Sequence, residues 1–486
     1  MCNHVKRFWS RRDFLFQSGG GISGLALAYL MNEDGLLAAA ADACNTPVTT
    51  GNPFAVKPPH FKPRAKAVIS LFMTGGVSQV DTFDPKPALE KYAGQPLTGK
   101  GEVIVRQGFP GPLMPSPFSF KKYGESGIEV SELFPNIAKH VDEIAFLRSV
   151  YGRSNDHTQA HYEMQSGQIR SGYPAMGSWI TYGLGSASSG LPGFVVLHDY
   201  RGGPIGGPQV WSSGFLPAAY QGTPFRASGD PIVDLKPVPG VTPDQQRARL
   251  DTLAKLNEMH LVQHPGSSDL AARISSYELA FRMERCAPTV VDIDSESGAT
   301  KKLYGLDNEI TAPFGRQCLL ARRLVESGVR FVQLFHGGMG NQSYDTWDAH
   351  EGVKANHTKH AAESDLPIAG LITDLKGRGL LDSTLVIWHS EFGRMPISQR
   401  GVGRDHNPGT LTVWMTGAGV NGGQVIGASD DFGYKAEQQP ISYHDLHATI
   451  LHLMGIEHTK LTYRFNGRNM RLTDVYGELI PQIVET

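Results

Sequence analysis

From Arg316 onward the chain alternates between two hydrophobic periods, and that alternation constrains the fold more than any other feature. Arg316 to Glu326 sets Leu319, Leu320, Leu324 and Val325 at helical spacing and stops before Gly328. Val329 to Phe335 is a strand-length apolar run that opens into His336-Gly337-Gly338. His357 to Leu375 is helical again, with Ile368, Leu371, Ile372 and Leu375 on one stripe. Thr384 to Trp388 and Thr410 to Met415 read as strands, and Ser442 to Met454 as a helix. Ala67 to Met73 and Ile144 to Arg148 are earlier strand runs. Apolar strands alternating with helices imply a sheet covered on both faces and joined by right-handed crossovers. The expected fold class is α/β, a mainly parallel sheet flanked by helices.

Three other stretches shape the domain map. Residues 44–65 form a Pro-rich lead-in, about 185–240 is a Gly/Pro-rich insertion or surface excursion, and Thr242 to Ala287 is helical. Leu133 to His140 reads as a short helix with Pro135 near its start. Ahead of them, Ser10-Arg11-Arg12-Asp13-Phe14-Leu15 precedes an apolar stretch and the small residues Ala38 to Ala43. That order is a twin-arginine export signal over 1–43, with cleavage near Ala43 preferred to lipidation at Cys44. The α/β domain is then 66–486, handed to a twin-arginine translocase and released to the periplasm or the exterior without a transmembrane anchor.

Charge and cysteine usage narrow the chemistry. With 45 basic and 47 acidic residues the formal charge is −2, which offers no field for nucleic acid. Four cysteines are present, two of them (Cys2 and Cys44) near the signal, so any metal must be held by His, Asp and Glu. Carboxylates and imidazoles gather where strands end. Asp348 and His350 follow the strand that ends at Phe335, Glu391 ends the next, and Asp405 and His406 lie in the loop after it. Such a set suits a divalent ion: zinc, manganese, magnesium or calcium. Arg394 and Arg404 supply positive charge for an anionic substrate, a small molecule or a glycan. Asp81 lies just beyond the first strand, and His157 and His161, four apart, share a helix face.

Taken in order, further segments carry a resemblance. They include Gly75-Gly76, Asp81-Thr82-Phe83-Asp84-Pro85-Lys86, Arg148-Ser149, Asp156-His157, and Leu320-Ala321-Arg322-Arg323-Leu324. Trp347-Asp348-Ala349-His350, Glu391-Phe392-Gly393-Arg394, Gly403 to Pro408 and His444 to Thr449 complete them. From Ala67 to its end the chain resembles the exported family called domain of unknown function 1501, in the alkaline phosphatase/sulfatase-like superfamily. The resemblance implies that superfamily's sheet and a metal-dependent hydrolase of phosphate or sulfate esters. Glu391 occupies the position of a metal-binding Asp in sulfatases, and Phe392 replaces the His that follows. Asp348, His350, Glu391 and His406 become the first metal ligands, with Asp81, Asp405, His157 and His161 behind them. The sulfatase nucleophile motif falls on His157 to His161, where no Cys or Ser stands. His157, Thr158 and His161 are therefore the catalytic candidates, and the alternative is a binding or scaffold protein on a degenerate fold.

Overall fold

The computed structural model describes residues 53–484, apart from 109, 189, 227–230, 233–239, 264–267 and 341–343. The signal expected over 1–43 and Cys44 lie outside the described residues. The elements that position the site are β1 (Ala67–Met73), β2 (Ile144–Tyr151), α1 (His157–Ser166), β3 (Phe194–Leu197), β4 (Thr223–Phe225), α2 (Pro243–Gln263) and α3 (Ser268–Val291). They continue with α4 (Ala312–Glu326), β5 (Phe331–His336), α5 (Val353–Gly377), β6 (Thr384–His389), β7 (Leu411–Thr416), β8 (Gln424–Ile426), β9 (Ile441–Ser442) and α6 (Tyr443–Leu453).

One sheet runs in the order β8-β2-β7-β6-β1-β5-β3-β4, with β9 also paired to β2. Its pairings are parallel except around β7, which runs against both β6 and β2. Every residue of β1, β5 and β6 is buried, as continuous apolar strands require. Alternate side chains of β1 serve two cores. Ile69, Leu71 and Met73 pack with Leu319, Leu324, Ile368 and Leu371 of α4 and α5. Val68 and Phe72 pack on the other face with Leu446, Ile450 and Leu451 of α6. Truncating one of these, such as Leu371→Ala, costs about 2–5 kcal/mol.

The Gly/Pro-rich stretch is more than a surface excursion, because it supplies β3 and β4 to one edge of the sheet. A four-residue apolar run among glycines and prolines is too short for periodicity to reveal. The helix expected over Leu133 to His140 starts later, as a 3₁₀ turn at Ile137–Glu143. The Asp365 carboxylate accepts from the Asn136 and Ile137 N–H groups and fixes that start. Of the Pro-rich lead-in, Arg64 and Ala65 donate backbone N–H groups to the Leu453 carbonyl and tie off the end of α6. Cys286 is exposed, Cys318 is buried, and neither forms a disulfide. Among the described residues no helix is long and apolar enough to cross a membrane.

Candidate metal centre

The pairing register puts the carboxyl ends of β1, β5 and β6 side by side, with Phe72 opposite His389 and Met73 opposite His336. Because β7 is reversed, the loop that enters it returns to the same edge and brings Asp405 and His406 along. Past the end of β2, Asp156 caps α1 by accepting from the Gln159 N–H at 3.3 Å. That start makes His157 the first residue of the helix, with His161 one turn on.

Glycine at the end of β1 lets these pieces meet. Gly75 has φ +117°, and a Cβ there would lie 2.5 Å from the Asp348 nitrogen and 2.7 Å from that of Trp347. Its N–H reaches both carboxylate oxygens of Glu391, at 2.9 and 3.0 Å. Glu391 is fully buried. His157 Nδ1 lies 2.6 Å from Glu391 Oε1, and His161 Nε2 lies 3.3 Å from the same oxygen. Burial opposes ionisation of Glu391, yet the charge of His161 and the hydrogen bonds of His157 and His161 outweigh it and hold the carboxyl well below its usual range.

In front of Glu391, His157, Asp348, His350 and His406 offer ligand atoms that all lie within 4.8 Å of one another. His157 Nε2 is 3.4 Å from Asp348 Oδ2, while His350 Nε2 and His406 Nε2 stand 3.1 and 3.4 Å from Oδ1. The two Nε2 atoms of His350 and His406 are 2.8 Å apart.

The partners of the other ring nitrogens settle the proton positions. His406 Nδ1 faces the Asn155 carbonyl at 2.7 Å and must donate to it. His350 Nδ1 faces Gln399 Oε1 at 2.5 Å, and that amide is oriented by its Nε2, which donates to the Gln107 carbonyl at 3.1 Å. Neutral rings so arranged point Nε2 lone pairs inward at a carboxylate, the pattern in which an acceptor behind each imidazole fixes it as a metal ligand. Burial first, then the Arg394 charge, lowers His350, and burial together with the Arg394 and His157 charges takes His406 down to about 4. Both rings are therefore neutral at neutral pH. His157 shifts upward: burial disfavours its charge, but hydrogen bonds to Asp348 and Glu391 prevail. Asp348 stays ionised far below its usual range: burial opposes its charge, but the Arg394 guanidinium and the His157 hydrogen bond prevail.

The structure relocates several expected residues. Asp81 and Arg404 are fully buried against each other, with Arg404 Nε 2.7 Å from Asp81 Oδ2 and Nη2 3.1 Å from Oδ1. The remaining donors of Arg404 go to the carbonyls of Met395, Met114 and Pro115, so neither residue is free for a metal or an anion. Arg394 is likewise fully buried. It donates to the carbonyls of Gly75, Gly76 and Arg404 and to Asp348 Oδ1 at 2.6 Å, and so orients the carboxylate from behind. Asp405 anchors a loop: Oδ2 accepts from the Arg106 and Gln107 N–H groups at 2.6 and 2.8 Å, and Oδ1 from its neighbour His406. Glu391 and His161 stand one layer back, with Glu391 reaching the cluster through His157. Thr158 is half-buried beside His157, and among the described residues no hydrogen bond joins its hydroxyl to a basic group.

A second group, His336, His360 and Glu363, also draws together. His360 and Glu363 are three apart on α5, a spacing legible in the sequence. Here Trp347 Nε1 donates to His336 Nδ1 at 3.0 Å, which keeps the ring proton on Nε2, the atom facing Glu363. Arg201 already donates to both Glu363 oxygens at 3.1 Å. These partners make the group an ion-paired knot, ill suited to a cation.

The family model for "Protein of unknown function (DUF1501)" matches residues 65–484. The chain belongs to the DUF1501 family. No curated protein matches it. The DUF1501 chain is similar to the PsFucS1 sulfatase from Pseudoalteromonas sp., at 13% identity, covering 81% of this chain and 68% of that one, with a TM-score of 0.34. It is similar to the lipoteichoic acid synthase LtaP from Listeria monocytogenes, at 8% identity, covering 85% and 78%, with a TM-score of 0.36. It is also similar to a mutant alkaline phosphatase of the Antarctic bacterium TAB5 with Mg bound in its M3 site, at 10% identity, covering 81% and 99%, with a TM-score of 0.34. Likeness at this level leaves the chemistry of the DUF1501 chain to its own side chains.

Proposed function

We propose that this protein is an exported, divalent-metal-dependent hydrolase of phosphate or sulfate esters, with the ion held by His157, Asp348, His350 and His406. The observation that carries the reading is the convergence of those ligand atoms, two of them neutral imidazole nitrogens only 2.8 Å apart. Glu391 fixes the His157 ring, Gln399 fixes His350, and Arg394 sets the Asp348 carboxylate. A divalent ion there would supply Lewis acidity toward an ester oxyanion and activate water for attack. Water is the proposed nucleophile, since among the described residues no Ser, Thr or Cys side chain hydrogen-bonds to the side chains of His157, Asp348, His350 or His406. The twin-arginine stretch supports export through the translocase, with an anionic small molecule or glycan as substrate.

A second reading, a metal-bearing protein that binds such anions without turnover, is favoured by one observation. Both guanidinium groups expected to capture the oxyanion, Arg394 and Arg404, are consumed internally. Metal analysis, combined with turnover assays on p-nitrophenyl phosphate and p-nitrophenyl sulfate, separates the two. About one ion per chain, with hydrolysis lost in Asp348→Ala and His406→Ala, supports the hydrolase. Full metal occupancy with binding and no turnover of either ester supports the binding protein, and a folded protein that takes up no ion contradicts both.

A further inference from the structure

We infer that Arg400 is the group that recognises the anionic part of the ligand, and that the ligand is a polar, hydroxylated phosphate or sulfate ester. The inference rests on the reading above for the ligand's place beside Asp348 and His350. A cavity of about 510 Å³ opens there, lined by Gln107, Asp348, His350, Glu351, Asn356 and Arg400, and among the described residues no apolar side chain larger than alanine stands in its wall. An aryl or acyl group would find only alanine methyls in that wall to bury against. A sugar or polyol would find amides and charges.

Arg400 differs from the two arginines of the sequence reading in what its guanidinium has left to give. Its side chain is 66% exposed, and its ion-pair partner is Glu351, with Nη1 3.3 Å from Oε1 and the glutamate 86% exposed. A pair so exposed is weak and exchanges readily with a competing anion. The guanidinium fork matches two oxygens of a phosphate or sulfate.

Position reinforces this. Arg400 has φ +51°, a left-handed conformation that glycine takes with less strain, in a tight turn closed by Gln399 N–H to Gly403 O at 2.7 Å and Gly403 N–H to Gln399 O at 2.9 Å. The preceding residue, Gln399, is the one that holds His350 Nδ1. One turn thus fixes both the ring of a metal ligand and the base of the exposed guanidinium. The first turn of α5 lines the same cavity with no side chain capping it, which adds partial positive charge there.

Titration of the full chain with inorganic phosphate, followed by calorimetry with and without zinc, tests the assignment. Arg400→Ala and Arg400→Gly, the second of which relieves the backbone strain, are each expected to weaken phosphate about 10-fold or more, with no fall in thermal midpoint and with metal stoichiometry unchanged. Arg400→Lys is expected to restore part of that loss. Phosphate binding equal to wild type in both truncations, or no binding by the wild type at millimolar phosphate, overturns the inference. Should zinc fail to bind while phosphate affinity still depends on Arg400, the metal-dependent reading falls and the Arg400 assignment stands. Glycerol 2-phosphate is expected to bind at least as tightly as phenyl phosphate, and the reverse order overturns the polar-ligand class.

Discussion

His350 and His406 present their Nε2 atoms to each other at 2.8 Å, and each ring has already committed its Nδ1 proton to an oxygen behind it. Two inward lone pairs at that distance repel unless a cation or a shared proton stands between them. Asp348 adds negative charge to the same spot, and Arg394 holds it there. A divalent ion at that spot would take both lone pairs and the carboxylate charge together, which is why metal carries the functional reading.

Residues behind the ligands are expected to matter nearly as much as the ligands. Glu391→Gln removes the charge that orients His157, and Gln399→Leu removes the acceptor of His350 Nδ1. Each is expected to weaken metal affinity about 10- to 100-fold, measured by competition with a chelator. Affinity within a factor of two of wild type in both would show that these rings orient themselves.

Asp81 and Arg404 are expected to serve the fold and not the site. Either Asp81→Ala or Arg404→Ala leaves an unpaired charge in a fully buried position, at a cost of about 3–5 kcal/mol in urea unfolding. The double replacement Asp81→Leu with Arg404→Met is expected to lose less than the two single changes together, and to bind metal at the wild-type stoichiometry. Additive losses would mean that the pair does not interact.

The fold was largely legible because its information is local. The apolar runs that became β1, β5 and β6, and the stripe on α5, announce themselves within a few residues, as does the position of Asp348, His350, Glu391 and His406 beyond the ends of strands. What escaped depends on contacts between distant segments. Asp81 and Arg404 are 323 apart in sequence, and only the packed structure shows that they spend their charges on each other. His157, in the sequence a catalytic candidate and a second-tier metal ligand, faces Asp348 because α1 begins past the end of β2. Gln399 gives no local signal at all: it is one polar loop residue among many until His350 arrives beside it. The last two strands of the sheet, β3 and β4, stayed hidden since four and three residues carry no period.

Acid is expected to unfold the protein early. Burial above all holds His357 and His389 down to about 3 and His447 down to about 4. An unfolded chain takes up protons on these rings near pH 6.5 while the folded one does not, so stability falls as pH drops below about 6.5 and continues to fall toward 4. Each such histidine contributes about 1.4 kcal/mol per pH unit once fully in that window. Urea midpoints between pH 7 and 5 check this, with His447→Gln expected to flatten the slope. A midpoint constant across that range would contradict the buried neutral rings.

Two glycines in one turn are expected to behave oppositely. A Cβ on Gly403 would lie 2.0 Å from the His350 carbonyl oxygen, whereas one on Gly401 meets nothing within 4 Å. Gly403→Ala should therefore push His350 away and weaken metal binding, while Gly401→Ala, at φ +81°, costs about 1 kcal/mol of stability and leaves affinity intact. Equal effects on affinity would break the link between this turn and the site.

The most direct test is the metal content of the purified full chain beside that of the His350→Ala, His406→Ala double variant, read by elemental analysis after removal of free ions. About one divalent ion per chain is expected in the wild type, and none retained in a double variant that still folds. A wild-type protein that takes up no ion when offered zinc or manganese, or a double variant that keeps its ion, would contradict that expectation.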